Sequence, residues 1–252
     1  MIPSATPTAA DAPVLPLLST EHLSMRFGGV TAVNDVTFAL RDGELRCLIG
    51  PNGAGKSTFF KCLTGQLVPS EGTILFKGAP ISGKASHEIA QAGIGIKTQV
   101  PNLFNGLEVR ENVWLAARRR HLGRVARELA QQTLERVGIA EFAGRQVGEL
   151  AHGQRQLVEL ATVLAAEPEL ILLDEPAAGM TAEETKRTAE IIREINKTAA
   201  LIVVEHDMQF IRLIADTVTV LHQGAVLIED EVEVVMRDRT VRDVYLGKQA
   251  AA

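Results

Sequence analysis

Gly50-Pro51-Asn52-Gly53-Ala54-Gly55-Lys56-Ser57-Thr58 decides how the rest of the chain is read. A glycine, four residues, a Gly-Lys pair and a hydroxyl residue form the spacing of a phosphate-binding loop. Such a loop works between a strand end and a helix start, where its amide N–H groups turn inward on an anion. Leu45-Arg46-Cys47-Leu48-Ile49 before it reads as a strand, and Phe59-Phe60-Lys61-Cys62-Leu63 after it reads as a helix. Glycines let the backbone approach phosphate oxygens with no Cβ in the way. In that geometry Lys56 meets the β- and γ-phosphates and the Ser57 hydroxyl faces Mg²⁺. Asn52, Gly53, Ala54, Gly55 and Thr58 complete the cradle. The loop implies a nucleoside triphosphate and leaves kinases, switches, motors and transport ATPases open.

Working outward, the 252 residues suffice for one large core, or for one domain carrying a smaller subdomain. Hydrophobic residues make up 46%, yet no uninterrupted apolar run approaches the ~20 residues of a membrane helix. The chain is therefore not itself a channel, while a membrane partner stays open. A net charge of -5 gives no electrostatic argument for nucleic acid. Cys47 and Cys62 flank the loop with no Cys-x-x-Cys or His cluster beside them, and read as buried thiols in a reducing cytoplasm.

Residues 1–18 are rich in Pro, Ala, Ser and Thr and lack a basic start, so they read as a flexible arm, not a cleaved signal. A first strand is expected from Thr20 to Phe27. Residues 32–40 are apolar at alternate places, the period of a half-buried strand, and Asp42-Gly43 turns the chain. The opening is thus a small antiparallel β part within a first stretch of core, residues 19–98. Residues 99–161 change character: helical periodicity over 108–120 and 124–137, broken by Gly138, Gly144, Gly148 and Gly153, predicts an inserted helical subdomain. Arg118-Arg119-Arg120 reads as a solvated face.

Residues 162–252 return to the core. An apolar helix over 157–166 is closed by Pro168, and Leu170-Ile171-Leu172-Leu173-Asp174-Glu175 is a fully buried strand ending in two carboxylates. An amphipathic helix over 185–197, a strand at 200–204, a helix at 208–214, two more strands and one closing helix follow. Buried strands alternating with helices predict an α/β protein with a mainly parallel core sheet.

Four groups carry the chemistry. The phosphate loop is one. At the end of the buried strand Asp174 is placed for Mg²⁺ and Glu175 to orient or deprotonate a water attacking the γ-phosphate. His206 ends another strand, where an imidazole serves either the γ-phosphate or the core. Leu150-Ala151-His152-Gly153-Gln154 precedes an apolar helix whose first amides suit a phosphate. It lies in the inserted region, so a second copy facing the first reaches it more readily than its own nucleotide does. Gln99 is either a surface loop residue or a side chain reaching the metal.

Together these residues resemble the ATP-binding subunit of an ABC transporter over nearly the whole chain, from about Leu17 to Gly247. The resemblance implies a P-loop NTPase fold of ABC-ATPase type, with ATP and Mg²⁺ as cofactors. It makes Gln99 the metal-sensing glutamine, Glu175 the catalytic carboxylate, His206 the switch histidine and residues 150–154 the signature that closes over the partner's ATP. Phe27 matches the position that stacks on adenine, with Val33 packing near it; alternatively Phe27 is a core aromatic. Met25-Arg26-Phe27-Gly28-Gly29, Asp174-Glu175-Pro176-Ala177-Ala178-Gly179-Met180-Thr181 and Val244-Tyr245-Leu246-Gly247 are similar to the branched-chain amino acid and urea or amide uptake group. His152 and Gly179-Met180-Thr181 lean to its urea-type member.

The implied partners are a second ATPase subunit, identical or a close paralogue, two membrane permeases and, indirectly, a periplasmic solute-binding protein. The chain would then sit on the cytoplasmic face of the cell membrane, with coupling helices received near residues 99–112. A non-transport ABC-type ATPase acting in DNA repair or translation is the alternative. Two departures stand out. Ala151 and His152 replace the serine and first glycine of the usual signature, removing a hydroxyl bond of about 0.5–1.5 kcal/mol. Thr181 stands where many relatives carry aspartate.

Overall fold

Described from residue 15 to residue 246, the computed structural model begins with β1 (Leu18–Phe27) and β2 (Val30–Leu40), antiparallel neighbours joined at Gly28-Gly29. β3 (Leu45–Ile49) then runs into the phosphate loop, and α1 (Lys56–Leu63) leaves it. β4 (Glu71–Phe76) and the two-residue β5 (Ala79–Pro80) extend the first sheet in the order β2-β1-β4-β5. α2 (Ser86–Ala92) leads to β6 (Ile94–Lys97). The inserted region holds α3 (Val109–Ala117), α4 (Gly123–Val137) and α5 (His152–Leu164). The core resumes with β7 (Leu170–Asp174), α6 (Ala182–Asn196), β8 (Ala200–Val204) and α7 (Met208–Ile214). β9 (Thr217–His222), β10 (Ala225–Glu231), α8 (Val232–Arg237) and α9 (Arg239–Leu246) complete it.

The second sheet has the order β10-β9-β3-β8-β7-β6 and is parallel except for its β10 edge. Its strands are buried on both faces, and the two-residue side-chain period divides them between two cores. Cys47, Leu173, Leu201 and Val203 face one core together with the helices of the insertion. Leu48, Leu172, Ile202 and Val204 face the other, with α1 and the antiparallel sheet. In α4 the buried Leu134 and Val137 and the half-buried Leu129 share the inward face, as the periodicity predicts. Arg118, Arg119 and Arg120 are exposed, with the Arg118 guanidinium 4.8 Å from the Trp114 ring centre.

Several boundaries differ from the sequence expectations for identifiable reasons. The first strand opens at Leu18, because Leu17 and Leu18 are buried in the second core; residues 1–14 of the expected arm lie outside the described residues. α5 starts at His152 and runs unbroken to Leu164, so the signature segment is its first turn, and the boundary placed after residue 161 falls inside the helix. α6 starts early because the Thr181 hydroxyl accepts the N–H of Glu184 and caps it. The single closing helix is two, broken at Asp238, whose extended backbone and Oδ1 bond from the Val241 N–H begin α9.

Candidate functional site

Parallel strands deliver their C-terminal ends to one edge of a sheet, where loops can converge on a ligand. Here that edge holds Gly50 after β3, Gln99 after β6, Asp174-Glu175 at the end of β7 and Glu205-His206 after β8.

The phosphate loop needs its glycines for stated reasons. At Gly50 (φ +153) a Cβ would lie 2.2 Å from the Leu221 carbonyl oxygen, and at Gly55 (φ +100) 2.4 Å from that of Ala32. Gly53, also at positive φ, borders open space, and Asn52, Gly53 and Ser57 are exposed. Ala54 is buried and its N–H is bound to Pro51 O. Lys56 Nζ donates to two carbonyls of its own loop, Gly50 O at 2.5 Å and Pro51 O at 3.0 Å. Burial pushes this amine below its ordinary pKa, against the pull of the Glu175 and Asp174 charges. Ser57 and Thr58 stand in the first turn of α1, so exposed amides, a cation and a hydroxyl share one concave end, the arrangement a polyphosphate fits.

Asp174 and Glu175 point differently because the chain turns into the left-handed region at Glu175 (φ +47). Asp174 is half-buried; burial and then the neighbouring Glu175 raise its pKa, while Lys97, Lys61 and Lys56 oppose the shift. Glu175 Oε2 accepts from Gln99 Nε2 at 2.8 Å, and its Oε1 lies 3.4 Å from His206 Nδ1. The structure therefore brings Gln99, Glu175 and His206 into contact although 107 positions separate the first from the last (206 minus 99). A carboxylate so held can orient a water and take its proton. Ser57, Asp174 and Gln99 are hard oxygen donors of the kind Mg²⁺ takes, usually alongside phosphate oxygens and waters. The set fits that ion with ATP as the further ligand.

One residue here escaped the sequence reading. Glu205 is buried, accepts the N–H of His206 at 3.0 Å and that of Ala177 at 3.3 Å, and so ties the loop after β8 to the loop after β7. Burial raises its carboxyl pKa, opposed by these backbone donors. An acid directly following a fully apolar strand is the signal that points to it.

Phe27, at the end of β1, is 46% exposed and presents its ring, which sets aside the core-aromatic alternative. Val33, expected to pack near Phe27, is fully buried on the inward face of β2.

The signature segment is built differently. Ala151 caps α5 without a side-chain acceptor, and its N–H goes to Gln154 Oε1 at 3.0 Å. His152 Nε2 lies 3.3 Å from Ala178 O and 3.3 Å from Gln156 Nε2. Gly153 faces Glu184; a Cβ there would sit 2.6 Å from Glu184 Oε1. Glu184 is itself held by the N–H of Thr181 at 2.8 Å and its hydroxyl at 2.9 Å, which lower its pKa. The departures at His152 and Thr181 thus meet on one seam between α5 and the start of α6. Among the described residues no hydrogen bond joins residues 151–154 to residues 50–58. The candidate coupling residues divide: Val109 is core, Leu107 half-buried, and Phe104 is 64% exposed.

Comparison with known proteins gives a family. The model described as "ABC transporter" matches residues 33–178. The high-affinity branched-chain amino acid transport ATP-binding protein LivG of Escherichia coli (strain K12) is 37% identical over 251 residues, covering 92% of this chain and 98% of LivG. Its counterpart BraF of Pseudomonas aeruginosa is 36% identical over the same shares. Among solved structures, a nucleotide-free ATP-binding cassette from an ABC transporter is 26% identical with a TM-score of 0.83, covering 93% of this chain and 100% of that one. MJ1267, an ATP-binding cassette of an ABC transporter in its ADP conformation, is 27% identical with a TM-score of 0.82, over the same shares. On this agreement of sequence and fold, the chain belongs to the ATP-binding cassette family of ABC transporters, whose members hydrolyse ATP.

Proposed function

We propose that this chain powers an importer of branched-chain amino acids or a similarly small polar solute, by closing with a second ATPase subunit over two ATP molecules. The phosphate loop of one subunit holds the triphosphate, with Phe27 stacked on the base. Residues 151–154 of the other subunit cover the γ-phosphate and exclude bulk water. Ser57 and Asp174, with Gln99 nearby, would hold Mg²⁺, which would supply positive charge opposite the transferred phosphoryl group. Glu175 then accepts the proton of the attacking water, and Gln99 and His206 fix that carboxylate in line. Lys56 leaves its own carbonyls for the phosphates.

The observation that carries this reading is the split site. Gln99, Glu175 and His206 meet at one sheet edge, while among the described residues the signature turn of the same chain has no hydrogen bond to its own phosphate loop. Closure moves the helical insertion, and a groove of about 360 Å³ there, bordered by Phe104, Leu115 and Arg119, suits a coupling helix of a permease on the cytoplasmic face of the membrane. No described helix is long and apolar enough to cross a membrane, so permeases and a binding protein supply the path and the selectivity. The names of the relatives support branched-chain amino acids. The lean to urea rests on His152 and residues 179–181, which face each other on the seam rather than any solute. The test is reconstitution with the permeases and binding protein, where leucine is expected to stimulate hydrolysis and urea is not. Glu175→Gln should cut turnover at least about a hundredfold and accumulate an ATP-loaded dimer in size-exclusion chromatography. A Glu175→Gln chain that stays monomeric with ATP bound would end the split-site reading.

A further inference from the structure

Helix α5 grips the loop that carries Gln99 through side chains buried between them. Lys97 closes β6 and Glu159 stands in the second turn of α5. Their side chains are 1% and 5% exposed, and Nζ lies 3.6 Å from Oε2. Glu159 Oε1 accepts the N–H of Asn102 at 3.0 Å. One turn earlier Gln156 Nε2 donates to Gln99 O at 3.4 Å. Residues three apart share a helix face, so Gln156 and Glu159 act on the loop together. The loop's backbone is thus held at Gln99 itself and at Asn102, and the Gln99 side chain reaches Glu175 at 2.8 Å. The first turn of α5 is the signature. At a rise of about 1.5 Å per residue, Glu159 lies about 10 Å along the helix from His152.

Stability does not explain the charges. A buried ion pair contributes little net stability, and apolar replacement of both partners is often neutral or better. The neighbours of Glu159 on α5, Val158, Leu160 and Ala161, are buried apolar residues that fill the same core without polar groups. Glu159 Oε2 and Gln156 Oε1 are buried without a hydrogen-bond partner, so each has acceptor capacity to spare at this seam. What the pair supplies is a fixed relation between a helix and a loop.

We propose that Glu159, with Lys97 and Gln156, is a positioning residue for hydrolysis: the carboxylate anchors residues 97–102 to α5 and sets how far Gln99 reaches toward Glu175. A displacement of the α5 tip, where the partner's nucleotide sits, is thereby passed about 10 Å along a rigid helix to the chain's own hydrolytic carboxylate. This last step rests on the paired-subunit reading; the anchoring of Gln99 does not.

The experiment uses the purified full chain. Lys97→Met with Glu159→Leu removes both charges at similar volume, where Glu159→Leu alone strands a buried ammonium and is expected to unfold the protein more easily. For the double variant we expect a parental Tm and an unchanged KM for ATP, with kcat lowered about tenfold or more, because a loosely held group misplaces the reacting atoms. Lys97→Arg, which keeps the pair, should restore kcat to within about twofold. Turnover of the double variant within about twofold of the parent, at equal Tm, would overturn the proposal and leave the pair as packing. Glu175→Gln run in parallel separates the readings: if it is inactive while the double variant is normal, the site stands and the anchor fails, and if it turns over normally the site itself is wrong.

Discussion

Strand β3 has a cation near its start, the loop that leaves it ends on another at the start of α1, and the two are housed oppositely. Arg46 is buried at 5% exposure, bonded to Glu44, paired with Glu229, donating to Thr219 Oγ1 at 2.9 Å and stacked 5.4 Å from the Phe38 ring centre. Lys56 rests on two backbone carbonyls and, among the described residues, has no carboxylate within bonding distance. The first cation is neutralised by the fold and joins β3, β9 and β10. The second keeps its charge for an anion that arrives later. The difference separates a group that makes the structure from one that uses it.

The predictions probe that contrast, starting with the largest effect. Glu175→Gln should lower kcat by about 10²–10⁴, the range for removing a positioned general base, with Tm unchanged within error. A loss of Tm in proportion to activity would place Glu175 with Arg46, among the structural groups. Arg46→Ala should cost about 1–3 kcal/mol in chemical denaturation, because it takes the donor from the buried Thr219 hydroxyl and from the partly exposed Glu44 and Glu229. Turnover per folded molecule should stay at the parental value, and a drop there would show that the two ends of β3 are not separable.

Lys56→Met should do the reverse, losing ATP binding while raising Tm. Burial holds the Lys56 pKa below its unfolded value, so the charged form is penalised in the folded state at neutral pH. The gain on removing it should be present at pH 7 and vanish above the unfolded-state pKa. A lower Tm at pH 7 would mean the loop depends on its lysine for shape. Smallest, Phe27→Ala should raise the KM for ATP by the ~0.5–1.5 kcal/mol of a lost stacking contact, leaving stability intact. Phe59→Ala, at a fully buried ring, should cost about 3–5 kcal/mol of stability instead.

What was legible in the sequence was local. The phosphate loop, the run Leu170-Ile171-Leu172-Leu173 before two carboxylates and the amphipathic residues of α4 each declare themselves within a few positions. Four features were not legible in that way. Val33 reads like its neighbours until the pairing of β1 with β2 turns it inward. β10 joins the sheet antiparallel because Gln223-Gly224 makes a tight turn; the expected mainly parallel sheet did not say which strand would run the other way. The signature turn proved helical because Gln154 binds back to the Ala151 N–H, a bond the spacing allowed but did not demand. Lys97 and Glu159 lie 62 positions apart (159 minus 97), and nothing in either segment names the other. Burial of a charge is a property of the assembled core, so its partner emerges only when helix and sheet meet.

The seam at Gly153 has a consequence for reading variant libraries of this chain. A survey of substitutions would score position 153 as intolerant and credit the nucleotide alone. Part of that intolerance is internal, because a methyl group there meets the Glu184 carboxylate 2.6 Å away with no ATP involved. A methyl group at this tip would displace the end of the Glu184 side chain, a modest cost that the isolated subunit bears before any partner arrives, and trimming Glu184 to alanine should remove it from Gly153→Ala.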